Sequence, residues 1–347
     1  MVATEKKDIR ALTREELRDY FSAKGEKAFR GNQIYEWLWS KGAHSFEAMT
    51  NISKETRAFL DANFVINHIQ VDQMQRSNDG TIKNAVKLHD NLVVESVLIP
   101  TSKRTTACVS SQVGCSLNCQ FCATARLKRM RNLNPDEIFD QVVAIDRQSR
   151  LYYDRPLSNI VFMGMGEPLM NYKNVIAVIE KITSPDGLGM SPKRIMVSTS
   201  GVPKIIKKMA DDQVKFKLAV SLHSALNEVR TDIMPFNEQM PLEELKDSLK
   251  YWYAKTGQQI SYEYIIWKDI NDRQQDINAL VDFCLAIPSK VNLIEYNPID
   301  DGKFQQAPSE VIDKYVDALE REGITVTVRR SRGKDIDAAC GQLANKH

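Results

Sequence analysis

The chain has 347 residues, 43% apolar and 27% charged, an ordinary globular composition that excludes a disordered or fibrous protein. No run nears the ~18 uninterrupted apolar residues of a membrane span, and no apolar segment follows the charged start Met1 to Arg10. We therefore expect neither membrane insertion nor export, but a cytoplasmic protein. Lysine plus arginine (47) nearly balances aspartate plus glutamate (45), so a net charge of +2 excludes a histone-like protein. The six cysteines are unusual, because four of them (Cys108, Cys115, Cys119, Cys122) crowd one short stretch while Cys284 and Cys340 lie far away. Without export this is not a disulfide scaffold, and metal or redox chemistry is the better reading.

In chain order, Thr13 with Glu16 forms a capping box ahead of Leu17–Phe21, and further helices are predicted over Arg30–Trp39 and Lys54–Asn63. From Asn67 to Pro100 the pattern turns to short β runs broken at Asn78-Asp79-Gly80 and His89-Asp90-Asn91. Residues 1–100 thus read as an N-terminal helical accessory domain with a small antiparallel β meander. Strands are then predicted at Thr105–Ser110, Asn159–Met163, Arg194–Ser198, Phe216–Leu222, Ser261–Trp267, Val291–Tyr296 and Thr325–Val328. Helices fall between them at Pro135–Gln148, Lys173–Ile182, Pro203–Ala210, Leu242–Lys255, Arg273–Ala286 and Ser309–Glu322. Pro135 followed by Asp136 and Glu137 is a good helix start, since proline fits the first turn and acids suit the positive end of the dipole.

Six helices among seven strands predict an α/β fold, a partial TIM-like (β/α)6 barrel over residues 101–335 with a C-terminal segment 336–347. No Gly-x-Gly-x-x-Gly opens a helix, so a nucleotide-binding doubly wound sheet fits less well. In such a barrel chemistry gathers at the C-terminal ends of the strands. Cys115-x3-Cys119-x2-Cys122 follows the first barrel strand, where an active-site loop belongs. Three thiolates can hold a 4Fe–4S cluster and leave one iron open to a small molecule. A zinc site with Cys108 as fourth ligand, or inert buried cysteines, are the other readings; the spacing lacks the paired Cys-x2–4-Cys of common zinc sites.

That motif on a β/α barrel resembles the radical S-adenosylmethionine superfamily. Within it the chain resembles the dual-specificity RNA adenine carbon-2 methyltransferases. The resemblance rests on Cys108-Val-Ser-Ser-Gln-Val-Gly-Cys115, Asn118-Cys119-Gln-Phe-Cys122-Ala-Thr, Arg131-Asn132-Leu133 and Phe162-Met-Gly-Met-Gly-Glu167-Pro168. Ser198-Thr-Ser-Gly201, Ser221-Leu-His223, Tyr296-Asn297-Pro298 and Asp335-Ile-Asp-Ala-Ala-Cys340-Gly-Gln-Leu extend it to the end of the barrel. It implies Cys115, Cys119 and Cys122 as cluster ligands, and Gly166, Glu167, Ser198, Ser221, Leu222, His223 and Asn297 as S-adenosylmethionine contacts. It further implies Cys340 as the methyl-carrying cysteine, Cys108 as the resolving thiol that forms a disulfide with it, and Glu95 as proton acceptor. Implied partners are 23S ribosomal RNA, transfer RNA and an electron donor such as flavodoxin, acting on a monomer. The related carbon-8 methyltransferases share the cysteines and are the nearest rival; a zinc-dependent RNA-binding module is the rival of another class. The chain departs from the family at Ala123-Thr124-Ala125-Arg126-Leu127-Lys128, where glycines are common.

Charge is uneven. Residues 101–131 hold Lys103, Arg104, Arg126, Lys128, Arg129 and Arg131 with no acid, a local +6 that leaves −4 for the rest. Such a loop suits phosphate contact. Arg329, Arg330, Arg332 and Lys334 form a second basic stretch, and Lys27, Phe29, Arg30, Tyr35, Trp37 and Trp39 interleave basic and aromatic groups that could stack on bases. Cys284 lies on an apolar helical run and reads as packing.

Overall fold

The computed structural model describes residues 6–299 and 302–345. Three helices open it: α1 (Arg14–Ala23), α2 (Phe29–Trp39) and α3 (Lys54–Asn63). The Thr13 capping box is formed, with Glu16 N–H donating to Thr13 Oγ1 at 3.1 Å and Thr13 N–H donating to Glu16 Oε2 at 2.7 Å. An antiparallel meander follows: β1 (Gln70–Arg76), β2 (Ile82–Lys87) and β3 (Val93–Pro100).

The parallel strands are β4 (Thr105–Cys108), β5 (Asn159–Phe162), β6 (Ile195–Thr199), β7 (Lys217–Ser221), β8 (Ile260–Ile265), β9 (Ser289–Ile294) and β10 (Thr325–Arg329). They pair strictly in chain order. The crossovers carry α4 (Pro135–Tyr153), α5 (Tyr172–Thr183), α6 (Pro203–Asp211), the pair α7 (Asn227–Ile233) and α8 (Leu242–Thr256), α9 (Gln274–Leu285) and α10 (Ser309–Arg321). This is the expected partial barrel: β10 pairs only with β9, so the ring stays open. On the face turned to the crossover helices the strands bury Ile160, Ile195, Val197, Val220, Ile260 and Val291, while Ser198, Ser221 and Glu263 alternate to the inner face.

The meander shares a sheet with the barrel. β3 pairs antiparallel with β4, Val97 opposite Cys108, so ten strands form one continuous surface. The helical region docks through a buried ion pair: Arg10 donates to Asp140 at 2.8 Å and Asp136 at 3.3 Å, both on α4. Breaking one partner of such a pair costs about 3–5 kcal/mol, because the other charge is left buried. Among the described residues no helix is long and apolar enough to cross a membrane.

Candidate active site

The C-terminal ends of the parallel strands and the loops beyond them enclose a cavity of about 420 Å3. It is lined by every expected site residue except Glu95 and Leu222. Leu222 is fully buried because alternation beyond β7 turns its neighbours Ser221 and His223 to the cavity and Leu222 away.

Cys115, Cys119 and Cys122 line one wall, backed by Leu117, Phe121 and Trp267. Burial pushes the Cys115 thiol up to about 11, with the Cys122 charge adding to it, and raises Cys119 well above the ordinary thiol value with Cys122 and Cys115 adding. Three soft sulfurs that repel one another as thiolates suit several cations. Among the described residues no three such groups converge on one point, as a single zinc ion would need. A cluster asks each thiolate to hold a different iron, which separated sulfurs can do. Cys108 stands apart from the three: its thiol is raised by burial and next by Cys340, not by the motif cysteines.

Cys340 reaches the same cavity from the far end of the chain. The segment carrying it folds back over the barrel mouth. Ala123 N–H donates to Gly341 O at 2.7 Å, Thr124 Oγ1 donates to Leu343 O at 2.6 Å, and Asn297 Nδ2 donates to Cys340 O at 3.2 Å. Protein surrounds Cys340, yet its surface is open to the cavity. Burial raises its thiol, Arg329 lowers it, and Glu263 raises it again. The expected Cys108–Cys340 disulfide is absent from this structure, a correction of that pairing: all six cysteines are free thiols. Cys284 is buried on α9, as packing requires.

The loop Gly164–Glu167 lies tight on the chain leaving β4. A Cβ on Gly164 would meet Ser110 Oγ at 2.7 Å, and one on Gly166, at φ +93°, would meet Gln112 Cβ at 2.4 Å. These glycines serve contact with protein. Glu167 is buried, its Oε1 accepting from Leu169 N–H (2.9 Å) and Thr199 Oγ1 (2.7 Å) and its Oε2 from Ser200 N–H (2.8 Å). The carboxylate is thereby held at the ends of β5 and β6, where it can face an ammonium. Burial raises its pKa while those donors oppose the shift.

His223 adopts a left-handed φ of 56°, and its Nδ1 accepts from Ile265 N–H at 3.2 Å. Its ring packs edge-on to Phe121 at 4.8 Å. Burial and the nearby Arg230 push its pKa down to about 3, so it is a neutral imidazole with the proton on Nε2. Asn297 is buried, and its Oδ1 has no hydrogen-bond partner among the described residues. An orphan acceptor on the cavity wall is what a ligand N–H or O–H would satisfy. Glu167, Asn297 and neutral His223 together fit a nucleoside carrying an amino acid, so the residues suit S-adenosylmethionine beside the cluster loop.

Glu95 lies outside the cavity wall. It shares a sheet face with Val97 and thus with Cys108, but it is fully buried beneath the C-terminal segment. Its Oε2 accepts from Ala344 N–H at 2.8 Å and Asn345 N–H at 3.0 Å, and its Oε1 faces Lys83 Nζ at 3.4 Å.

Three residues escaped the sequence reading. Arg230 on α7 is fully buried and donates to Ser200 O (2.5 Å), Leu222 O (3.1 Å) and Asn237 Oδ1 (2.6 Å), tying the ends of β6 and β7 together. Glu263 lies on the cavity floor, accepting from Asn292 Nδ2 at 2.8 Å and facing Arg329 at 3.4 Å. Lys83 is the third. Only the break of an apolar run by Lys83 or Glu263 could have signalled either.

The basic surface is narrower than its composition. Arg131 is engaged by Asp90 (2.6 Å) and Glu137 (2.7 Å), Arg329 by Glu263, and Arg332 by the Asp79 carbonyl (2.6 Å). Exposed Arg104 and Arg330 rim the cavity, with Lys103, Lys128 and Arg129 exposed nearby. Trp39 and Tyr35 are core residues, Trp39 packing edge-on to Phe139 at 5.2 Å, so neither is placed to stack on a base. Phe29 and Lys27 are exposed, and Arg30 lies over the Phe29 ring.

An open β/α barrel with this cysteine wall and this cavity defines a radical S-adenosylmethionine enzyme. Residues 109–284 match the family model of the radical SAM superfamily, and residues 7–66 match that of the ribosomal RNA large subunit methyltransferase N-terminal domain. The chain is 76% identical over 99% of its length, and 98% of the relative's, to a probable dual-specificity RNA methyltransferase RlmN of Christiangramia forsetii. It is 43% identical to the dual-specificity RNA methyltransferase RlmN of Geotalea uraniireducens, over 99% and 98% of the two chains. A radical SAM methyltransferase structure from Sphaerobacter thermophilus superposes with a TM-score of 0.92 at 35% identity, covering 98% of this chain and all (100%) of that one. The chain belongs to the RlmN family of dual-specificity RNA methyltransferases. It is a radical SAM enzyme that uses a 4Fe–4S cluster and S-adenosylmethionine to methylate RNA.

Proposed function

We propose that the chain methylates carbon 2 of adenine in 23S ribosomal RNA and in transfer RNA, with Cys340 as methyl carrier, Cys108 as resolving thiol and Glu95 as proton acceptor. Carbon 2 lies between two ring nitrogens and is electron-poor, so it does not attack a sulfonium methyl directly. When bound, the cluster and S-adenosylmethionine supply one-electron chemistry that makes such a carbon reactive. The chain's own residues do the rest. Glu167 orients the amino group, Asn297 offers its acceptor to the ligand and its donor to the Cys340 carbonyl, and neutral His223 packs the floor without adding charge. Cys340 carries the methyl group into the cavity; the Cys108 sulfur then attacks the Cys340 sulfur, the S–S bond forming as the carbon–sulfur bond to the product breaks, and the released carbon keeps that electron pair and takes up a proton.

The observation that supports this reading is the meeting of Cys108 and Cys340, remote in sequence, in the one cavity that Cys115, Cys119 and Cys122 also line. A single methyl carrier needs a second thiol within the same enclosure, and the pair on β4 and the returning segment provides it. A target base must leave its stack to enter so enclosed a site, and Arg104 and Arg330 at the mouth suit the flanking phosphates. An external one-electron donor of the flavodoxin class, a monomeric chain and a cytoplasmic setting complete the reading. Mass spectrometry of nucleosides from ribosomal and transfer RNA, treated with the reconstituted enzyme, is the test. We expect 2-methyladenosine; 8-methyladenosine in its place would overturn the assignment.

A further inference from the structure

The segment bearing Cys340 hangs from the meander at both ends. On its N-terminal side Gly333 N–H donates to Asp79 Oδ2 at 2.9 Å, and Asp335 accepts from Ser77 Oγ at 2.5 Å and Asn78 N–H at 3.0 Å. On its C-terminal side the only side-chain anchor of Ala344 and Asn345 N–H, among the described residues, is the Glu95 carboxylate. Glu95 is fully buried, and so is the Lys83 beside it. The two stand diagonally across β2 and β3, since Lys83 pairs with Val97 and Ala85 with Glu95.

A buried carboxylate persists only with a countercharge and donors. Here Lys83 gives the countercharge, and two main-chain amides of the C-terminal segment give the donors. Oε1 has no hydrogen-bond donor among the described residues and faces the Lys83 ammonium at 3.4 Å, so the segment's amides hold one oxygen and charge alone holds the other. The ionised form attracts amide N–H groups roughly twice as strongly as a neutral acid would. Lys83 therefore acts on the Cys340 loop through Glu95. While the segment is docked, Glu95 is covered and lies off the cavity wall, out of reach of a bound base.

We propose that the Lys83–Glu95 pair is a latch for the Cys340 loop, with Lys83 a positioning residue, and that the segment undocks from Glu95 before that carboxylate takes a proton. Methyl loading of Cys340 and proton removal from the base then belong to two different positions of one segment. The latch rests on the roles given above to Cys340 and Glu95.

Hydrogen exchange read by mass spectrometry on the full chain tests it, alongside the rate at which iodoacetamide alkylates Cys340. Lys83→Met should speed both at least tenfold in residues 338–345, and Lys83→Arg should keep the wild-type rates. Deleting residues 344–347 leaves the buried pair in place and should speed exchange at 338–343 in the same way. A synthetic RNA hairpin with one unpaired adenine should loosen this segment in the wild type. Unchanged exchange in Lys83→Met, at wild-type thermal stability, overturns the latch; if that variant does not fold, unchanged exchange in the truncated chain does so. Unaltered exchange with saturating RNA overturns the order of events. Formation of 2-methyladenosine alongside unchanged exchange refutes the latch alone, whereas a loosened segment without 2-methyladenosine refutes the carbon-2 reading alone.

Discussion

Asn297 donates its side-chain amide to the main-chain carbonyl of Cys340 at 3.2 Å, while its own buried Oδ1 is left without a partner. One side chain therefore faces both the ligand space and the loop that bears Cys340. Asn297→Ala should weaken S-adenosylmethionine binding roughly tenfold, the loss of about one hydrogen bond. Asn297→Asp keeps the acceptor and loses the donor, so binding should hold while Cys340 alkylation accelerates. Titration calorimetry and alkylation kinetics separate the two effects.

If Cys108 resolves the adduct on Cys340, as proposed, Cys108→Ala stops the reaction before release. We expect the purified variant to carry RNA covalently joined to Cys340, seen as a shifted band in denaturing gels and as a nucleotide adduct after nuclease digestion. A variant free of RNA although its Cys340 is methylated would show that Cys108 has another role.

Gly166 combines a φ of +93° with a would-be Cβ contact of 2.4 Å to Gln112. Gly166→Ala should cost roughly 2 kcal/mol or more from backbone strain and overpacking together. The midpoint of chemical unfolding reads this directly. An unchanged midpoint would mean that the loop can shift freely from the chain after β4.

His223, with its pKa pushed down to about 3, binds a proton more readily in the unfolded chain, where the value is near 6.5. Its stabilising share is therefore present above about pH 6.5 and is lost as the solution is acidified toward 3. Asp136 works in the opposite sense, since burial pushes it up to about 7 and its share fades as pH rises through that value. The difference in melting temperature between wild type and His223→Asn isolates the histidine. It should shrink between pH 7 and pH 4; a constant difference would mean that His223 is charged in the fold.

Arg104 and Arg330 rim the cavity mouth. If each meets one phosphate, Arg104→Ala and Arg330→Ala should each lower the slope of log affinity against log salt by about 0.7–0.9. Arg131→Ala, whose guanidinium is engaged by Asp90 and Glu137, should instead lower thermal stability and leave the salt slope in place.

The helices and strands of the barrel were legible because the crossover helices bury one stripe while the strands are short apolar or alternating runs between turn residues, β9 among them. The capping box at Thr13 and the proline at Pro135 marked helix starts, and the structure adds a capping box at Asn134 that was not read. The short α7 was not legible, since seven residues hold too few turns to show a period. Fusion of the meander to the barrel was hidden because strand pairing leaves no mark on either strand alone. The Cys115-x3-Cys119-x2-Cys122 loop could be placed at the end of the first barrel strand because its spacing is local; the burial of Glu95 could not, as its cover comes from residues 344 and 345. The same holds for Arg131, an exposed cation by composition whose partners Asp90 and Glu137 only folding reveals.

The parallel sheet stops at β10, which has a neighbour on one side alone. A closed ring of strands admits its substrate only through the top, which suits a small molecule and not a long polymer with no free end nearby. The ring is interrupted beside Arg329 and Arg330, and the break is spanned by hydrogen bonds of Arg332, Gly333 and Asp335 to Ser77, Asn78 and Asp79 instead of a strand ladder. A few such contacts part more readily than a ladder, so this is the side on which the wall can yield to an internal nucleotide of a folded RNA, with no end to be threaded.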